Sequence, residues 1–375
     1  MQIFDNLNID FLGKRKYFYM LSGVLFILGM LSLLFRGLEL GIDFKGGSEI
    51  ALKFEKPIQI SDIRDDLSQI GLGKIEIKTF GGETGVLIRT DLQAIPEQIF
   101  PKVISTVESS IEEYYPGVAK NKIETTESSI TYQFETDSVA TDLSAKLFEA
   151  GLQSMAFEGN KMLVRVGIAD WIEEVLRDKM PDNPFVIQKE TKVGPKIGSE
   201  LKRDSIIAVL LSLLVILIYL GFRFKFVFAV GAVAALFHDV FITLGLFSLL
   251  YGIIPGLNLE VSITIVAAFL TLVGYSINDT VIVFDRVREN FKIHKTADLE
   301  TNMNNAINKT FRRTIITSAT TLFVVIVLLV FGGEVLRGFA FALFFGIIFG
   351  TYSSIFVASA FVLEYAQRSK KRIEF

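Results

Sequence analysis

Residues 261–284 read VSITIVAAFLTLVGYSINDTVIVF, and this stretch decides the fold. It is long and apolar enough to cross a bilayer as a helix, which takes about 20 such residues. Yet it carries a carboxylate, Asp279, six positions before Asp285 at its end. At about 1.5 Å of rise per residue, Asp279 lies roughly 9 Å inside the boundary. By insertion scales a charge at the centre of a span costs about 2.5–3.5 kcal/mol, so such a residue is a functional candidate by default.

Five more stretches qualify as spans: Tyr17–Phe35, Ser205–Phe222, Phe226–Tyr251, Thr314–Phe331 and Gly338–Leu363. The layout is one span, a polar segment of about 160 residues, then five spans on short loops. Lys and Arg crowd one side. That side holds Lys14-Arg15-Lys16, Arg223, Lys225, the basic 285–313 loop with Lys295, and the tail with Arg368, Lys370, Lys371 and Arg372. The opposite short loops hold Arg337 alone. By the positive-inside rule, residues 1–16 and 364–375 are expected in the cytoplasm, 17–35 is the first span, 36–204 is a periplasmic domain, and 205–363 holds spans two to six. The run after Lys14-Arg15-Lys16 reads as a retained signal anchor.

Composition agrees. Of 375 residues, 51% are hydrophobic, too many for a soluble enzyme of this length. The net charge of -3 gives no bulk basic signal for nucleic acid. The absence of Cys excludes disulfides, thiol catalysis and Cys-based metal sites. With His238 and His294 the only histidines, a His-rich metal site is excluded too. No Walker-type phosphate loop is present, and Gly81-Gly82 reads as a turn. No catalytic residue, metal or cofactor is expected, so energy must come from elsewhere.

The 36–204 segment alternates strand and helix patterns. Strands are expected at Ser48–Phe54, Lys74–Phe80 and Val86–Thr90, with helices at Ser61–Ile70, where Ser61 can cap, and Pro96–Tyr114. The order β-α-β-β-α is that of a ferredoxin-like sheet. It recurs at Ser129–Glu135, Ser138–Ala150, Ser154–Phe157, Lys161–Val166 and Ile168–Met180, closing with a strand at Phe185–Thr191. Leu67–Leu72 and Leu147–Leu152 also resemble each other. Two tandem βαββαβ-like subdomains, 46–120 and 121–193, are one reading; a single enlarged α+β domain is the other. The open faces of such sheets suit strand addition by an extended chain.

Asp279 and Arg313, at the start of the fifth span, can meet at similar depth on antiparallel neighbours. A buried carboxylate tends to stay protonated, and a nearby guanidinium favours its charged form. Moving the two together and apart would switch proton affinity; the alternative is a static ion pair pinning two helices. His238-Asp239 in the third span reads as a proton relay or as a packing hydrogen bond. Gly346, Gly350, Ser353 and Ser354 form a small-residue helix-packing face. Leu299, Met303, Ile307 and Phe311, four apart, read as an amphipathic helix on the membrane surface.

Six segments in order resemble the SecF family. They are Gly41-Ile42-Asp43-Phe44-Lys45-Gly46-Gly47, Val193–Leu201 with Gly194, Pro195 and Gly198, His238-Asp239-Val240, Val273–Asn290 with Asn278-Asp279, Arg313–Ser318, and Gly350–Ile355. The stretch Tyr115–Asn183 departs from the family's usual, shorter outer domain. The resemblance implies a six-helix half of an RND-type transporter with an α+β ferredoxin-like outer domain. It implies pairing with SecD and association with the SecYEG channel, YajC and, indirectly, SecA. The substrate would be an unfolded preprotein, moved by the proton gradient across the bacterial inner membrane. The proton path would run through Asp279 and Arg313, with Asn278, His238 and Asp239 nearby. Asp43, Gly46, Gly47, Gly194, Pro195 and Gly198 would be structural or hinge positions. Rival readings are a proton-driven RND-type exporter of small molecules or lipids, and a non-conducting scaffold for SecD and the channel. Asp with Arg is a proton-like rather than sodium-like pattern.

Overall fold

The computed structural model describes residues 8–68, 72, 75–126, 128–149, 152–254, 256–293 and 298–369. Gly71 and Gly151 of the internal likeness, and Lys295, Lys370, Lys371 and Arg372 of the basic side, lie outside the described residues. The chain begins with α1 (Arg15–Phe35), α2 (Ile42–Lys45), β1 (Gly47–Phe54), α3 (Ile60–Ser68), β2 (Ile75–Thr79), β3 (Gly85–Thr90) and α4 (Phe100–Tyr114). It continues with β4 (Asn121–Thr125), β5 (Ser129–Gln133), α5 (Asp137–Glu149), β6 (Ser154–Phe157), β7 (Lys161–Arg165), α6 (Ile168–Lys179) and β8 (Phe185–Val193). Then come α7 (Pro195–Arg223), α8 (Phe226–Leu250), α9 (Ile263–Ile293), α10 (Leu299–Phe331), α11 (Gly333–Ser353), a π-helical turn (Ser354–Ala358) and α12 (Ser359–Ser369). Two compact units result: Ile42–Ser199, and Met1–Gly41 with Glu200–Phe375.

Among the described residues, the second unit holds six helices long and apolar enough to cross a membrane, the last running from α11 through α12. Helices α8, α9 and α11 form its centre, with α1 against α8 and α10 against α9 and α11. Glycines set the spacing. A Cβ on Gly245 would stand 2.6 Å from the Gly29 Cα, so α1 and α8 touch backbone to backbone. Gly346 faces Leu272, and Gly350 faces Ser276 at 2.9 Å. The stretch expected as a surface-lying helix is instead the first part of α10, which runs unbroken for 33 residues. No Gly or Pro interrupts it. Its apolar stripe finds protein rather than lipid: Met303 and Ile307 are fully buried in a cluster with Phe11, Leu12, Phe284 and Val287.

Among the described residues, the Ile42–Ser199 unit, named the outer unit after its expected position, holds two antiparallel four-stranded sheets, ordered β2-β3-β1-β8 and β4-β5-β7-β6. Strand alternation sends Ile50, Leu52 and Phe54 inward from β1, and the helices close the core with residues at helical spacing, such as Val103, Val107 and Ile111 on α4. Each sheet has the expected β-α-β-β-α order, but the closing strands are exchanged. The strand expected to finish the second repeat, β8, pairs with β1 across Gly47↔Val193 to Phe54↔Phe185. The strand following the first repeat, β4, instead forms a hairpin with β5 in the second sheet. The two repeats therefore share one core rather than standing in tandem. Ser61 lies inside the first turn of α3 and hydrogen-bonds Asp62, so it is not the cap expected there.

Candidate functional site

Asp239, on α8, is completely buried. Its Oδ2 accepts hydrogen bonds from Ser276 Oγ of α9 at 2.8 Å and Ser353 Oγ of α11 at 2.7 Å. Its Oδ1 lies 3.0 Å from His238 Nδ1. The other imidazole nitrogen, Nε2, is 3.1 Å from Ser22 Oγ on α1. Ser22 Oγ is 2.9 Å from the Tyr352 hydroxyl, which donates to the Phe18 carbonyl at 2.7 Å. Four helices thus converge on a carboxylate through hydroxyls and one imidazole. A polar group so deep is tolerated only when every hydrogen-bonding position is met.

Asp279, one helical turn after Ser276 on α9, is also buried. Ser318 Oγ of α10 donates to its Oδ2 at 3.4 Å and lies 2.6 Å from Thr351 Oγ1 of α11. Arg313, on the neighbouring α10, has an exposed side chain, and among the described residues no ion pair joins it to Asp279. Asn278 is exposed and is not brought to the site. One residue along a helix is about 100° around its axis, so the neighbour of an inward residue points elsewhere.

Three consecutive residues tie these clusters together. Thr351 reaches Ser318, Tyr352 reaches Ser22, and Ser353 reaches Asp239. The π-helical turn follows at once, a local widening frequent at functional sites. Ser353, expected only as a packing residue, is therefore a hydrogen-bond donor to Asp239. Gly346 and Gly350 do pack, against α9, and Ser354 Oγ donates back to the Thr351 carbonyl at 2.9 Å. Ser22 was not foreseen; its only signal is a hydroxyl within an apolar run. Among the described residues, no group of three or more His, Asp or Glu stands close enough to hold a metal ion.

The glycine-rich segments meet within the outer unit. Gly46 and Gly47 adopt φ of +78° and +110°, which side chains rarely accept. A Cβ on Gly47 would stand 2.3 Å from the Thr90 carbonyl oxygen, and one on Gly46 3.1 Å from Pro195 Cα. Gly198 fits equally close, 3.2 Å from the Phe44 carbonyl oxygen, where Asp43 and Phe44 form the short helix α2. Gly194 lies beside Gln93, whose amide donates to the Val193 carbonyl. The two segments thus form one close-packed corner.

Residues 172–368 match the family described as Protein export membrane protein SecD/SecF, C-terminal, and residues 31–58 match the SecD/SecF GG Motif. A protein translocase subunit SecF from Rhodothermus marinus is 41% identical over 372 residues, covering 99% of this chain and 98% of its own. One from Calditerrivibrio nitroreducens is 36% identical over 357 residues, covering 95% and 93%. The crystal structure of SecDF, a translocon-associated membrane protein from Thermus thermophilus, superposes with a TM-score of 0.66 at 30% identity. It covers 98% of this chain, which spans 40% of that one. The Rhodothermus alignment leaves no room for a gap at Tyr115–Asn183, so that stretch is shared with this relative rather than a departure from it.

Proposed function

Since the chain belongs to the SecF family of protein translocase subunits, we propose that it couples proton flow to preprotein export by way of Asp279. It acts with a SecD partner that supplies the other half of the helix bundle, beside a SecYEG channel with YajC and downstream of SecA. It lies in the inner membrane with both termini cytoplasmic and the 36–204 domain outside. The observation that carries this reading is the state of Asp279: buried, held by hydroxyls, and not paired with the cation one helix away. A carboxylate shielded from water favours its neutral form, and approach of a guanidinium favours the charged form. Movement of Arg313 toward Asp279 therefore discharges a proton, and movement away lets one load. The outer domain grips the emerging chain in one state and releases it in the other.

The test is gradient-driven export into inverted membrane vesicles containing the complex. Asp279→Asn is expected to reduce export to its gradient-free level while co-purification with the SecD partner is unchanged. Arg313→Met is expected to do the same. Normal gradient-driven export with Asp279→Asn would remove Asp279 as the coupling site.

A further inference from the structure

The chain of contacts from Asp239 to the Phe18 carbonyl has four links, at 3.0, 3.1, 2.9 and 2.7 Å. Each link needs its own proton, and the far end fixes the direction of all of them. A carbonyl oxygen only accepts, so the single Tyr352 hydroxyl proton points at Phe18. Ser22 must then donate to the Tyr352 oxygen, because Tyr352 has no second proton. His238 Nε2 must in turn carry a hydrogen and donate to Ser22. The remaining link, between His238 Nδ1 and Asp239 Oδ1, requires one more proton, on either atom. The imidazole and the carboxyl together therefore hold two protons and are neutral as a pair. Ser276 and Ser353 do not alter the count, since both donate to the other carboxyl oxygen.

We propose that His238 and Asp239 form a second proton-binding site, separate from Asp279, whose proton latches the beginning of α1 to α8 and α11. The proton lost on release goes from the Nδ1–Oδ1 link to water, and the pair changes from neutral to singly negative. One link of the chain is then left with two acceptors face to face. The imidazole hydrogen that remains passes from Nε2 to Nδ1, where it faces the carboxylate, and Nε2 then accepts from Ser22. Ser22 no longer donates to Tyr352, so that link breaks or Tyr352 turns from the Phe18 carbonyl to donate to Ser22, and either way α1 loses a tie to its neighbours. The far end of α1 stays fixed, by the Gly29–Gly245 contact and the 2.8 Å Ser32–Ser248 hydrogen bond. The movement is therefore confined to the Tyr17 end.

The packed elements present few groups that would confuse this titration. From α1 come Ser22 and a backbone carbonyl, from α9 Ser276, and from α11 Tyr352 and Ser353. From α8 itself, Thr243 bonds the Asp239 carbonyl rather than its carboxyl. Asp279 on α9 is engaged with Ser318 instead. The ion-paired Arg15, Glu364 and Arg368 of α1 and α12 satisfy one another. Rings around Tyr352, including Phe18 and Phe356, hold its position without the hydroxyl.

The chain has no Cys, so a spin-label pair introduced by Tyr17→Cys and Phe226→Cys, both exposed positions, reports the α1–α8 distance. The full chain with its partner subunit, in liposomes, is titrated from acid to alkaline pH. The expected result is a pH-dependent lengthening of that distance. Asp239→Asn should hold the short distance at every pH, because the Asn amide N–H donates to Nδ1 as the protonated acid does. Tyr352→Phe should hold the long distance, and Asp279→Asn should leave the titration intact. A distance independent of pH overturns the proposal, as does a shift that survives Asp239→Asn. A shift that vanishes with Asp279→Asn instead overturns the latch while leaving Asp279 as the coupling group.

Discussion

In the outer unit Glu49 lies between two cations, 2.5 Å from Arg89 and 3.0 Å from Lys189, and a third contact carries Arg89 on to Glu76 at 3.6 Å. In the helical unit Asp239 and Asp279 are more deeply buried than Glu49, and among the described residues neither has a lysine or arginine in contact. The contrast separates two uses of a buried charge. A carboxylate clasped by cations has one favourable state and serves to hold strands together. A carboxylate met by hydroxyls, with or without an imidazole, can be accommodated in either protonation state, because a hydroxyl can turn to donate or to accept.

The widest test of that contrast is Glu49→Ala. It takes from the Arg89 guanidinium, itself buried, its 2.5 Å partner, and the contact to Glu76 is longer and more exposed. Breaking a buried pair from one side costs about 3–5 kcal/mol. The outer unit should show a loss of that size in hydrogen-exchange protection of β1 and β3, measured in the full chain. Replacing Glu49 and Arg89 together by Leu and Met should recover most of it. Protection unchanged in the single variant would show that the pair is not what holds these strands.

The helical site offers a smaller effect of a different kind. Ser318→Ala removes the donor to Asp279 and the contact with Thr351, a net loss of about 1 kcal/mol for a typical hydrogen bond. Thermal unfolding should therefore move little. Gradient-driven export should fall several-fold, because the balance between the two states of Asp279 changes. Equal, small effects on both would assign Ser318 to packing alone.

Much of this was legible from sequence, for a physical reason. Spans follow from run length, and Asp279 and His238-Asp239 stand out because lipid admits so few charges. The partners were hidden by distance along the chain: Ser22 is 216 residues from His238 and Ser353 is 114 from Asp239. The exchange of β4 and β8 was hidden as well, since a strand's alternation states which face is apolar and not which sheet will take it. Asn278 shows the opposite error, where adjacency in a motif was read as adjacency in space.

The smallest expected effect comes from the outer unit's own exception. At the start of α6, Asp170 is buried, accepts the Gly167 N–H at 2.7 Å, and has its nearest cation, Arg165, at 3.7 Å. It is thus closer in kind to the helical carboxylates than to Glu49. Burial pushes its carboxyl above the usual range, as it does for Glu173 and Glu174 on the same helix. A carboxyl raised in the folded state contributes stability in full below its unfolded value, and loses it as pH rises through the folded value. The outer unit should therefore lose a little stability as pH rises from the ordinary carboxylate range upward, and none further once these groups have ionised. Asp170→Asn keeps an oxygen for Gly167 N–H and should flatten part of that slope, leaving the share of Glu173 and Glu174. Denaturant unfolding of the full chain, followed at Trp171 across that pH range, measures it. Should stability rise with pH instead, Asp170 is governed by Arg165 after all, and the distinction between clasped and unclasped carboxylates fails in the unit where it is easiest to measure.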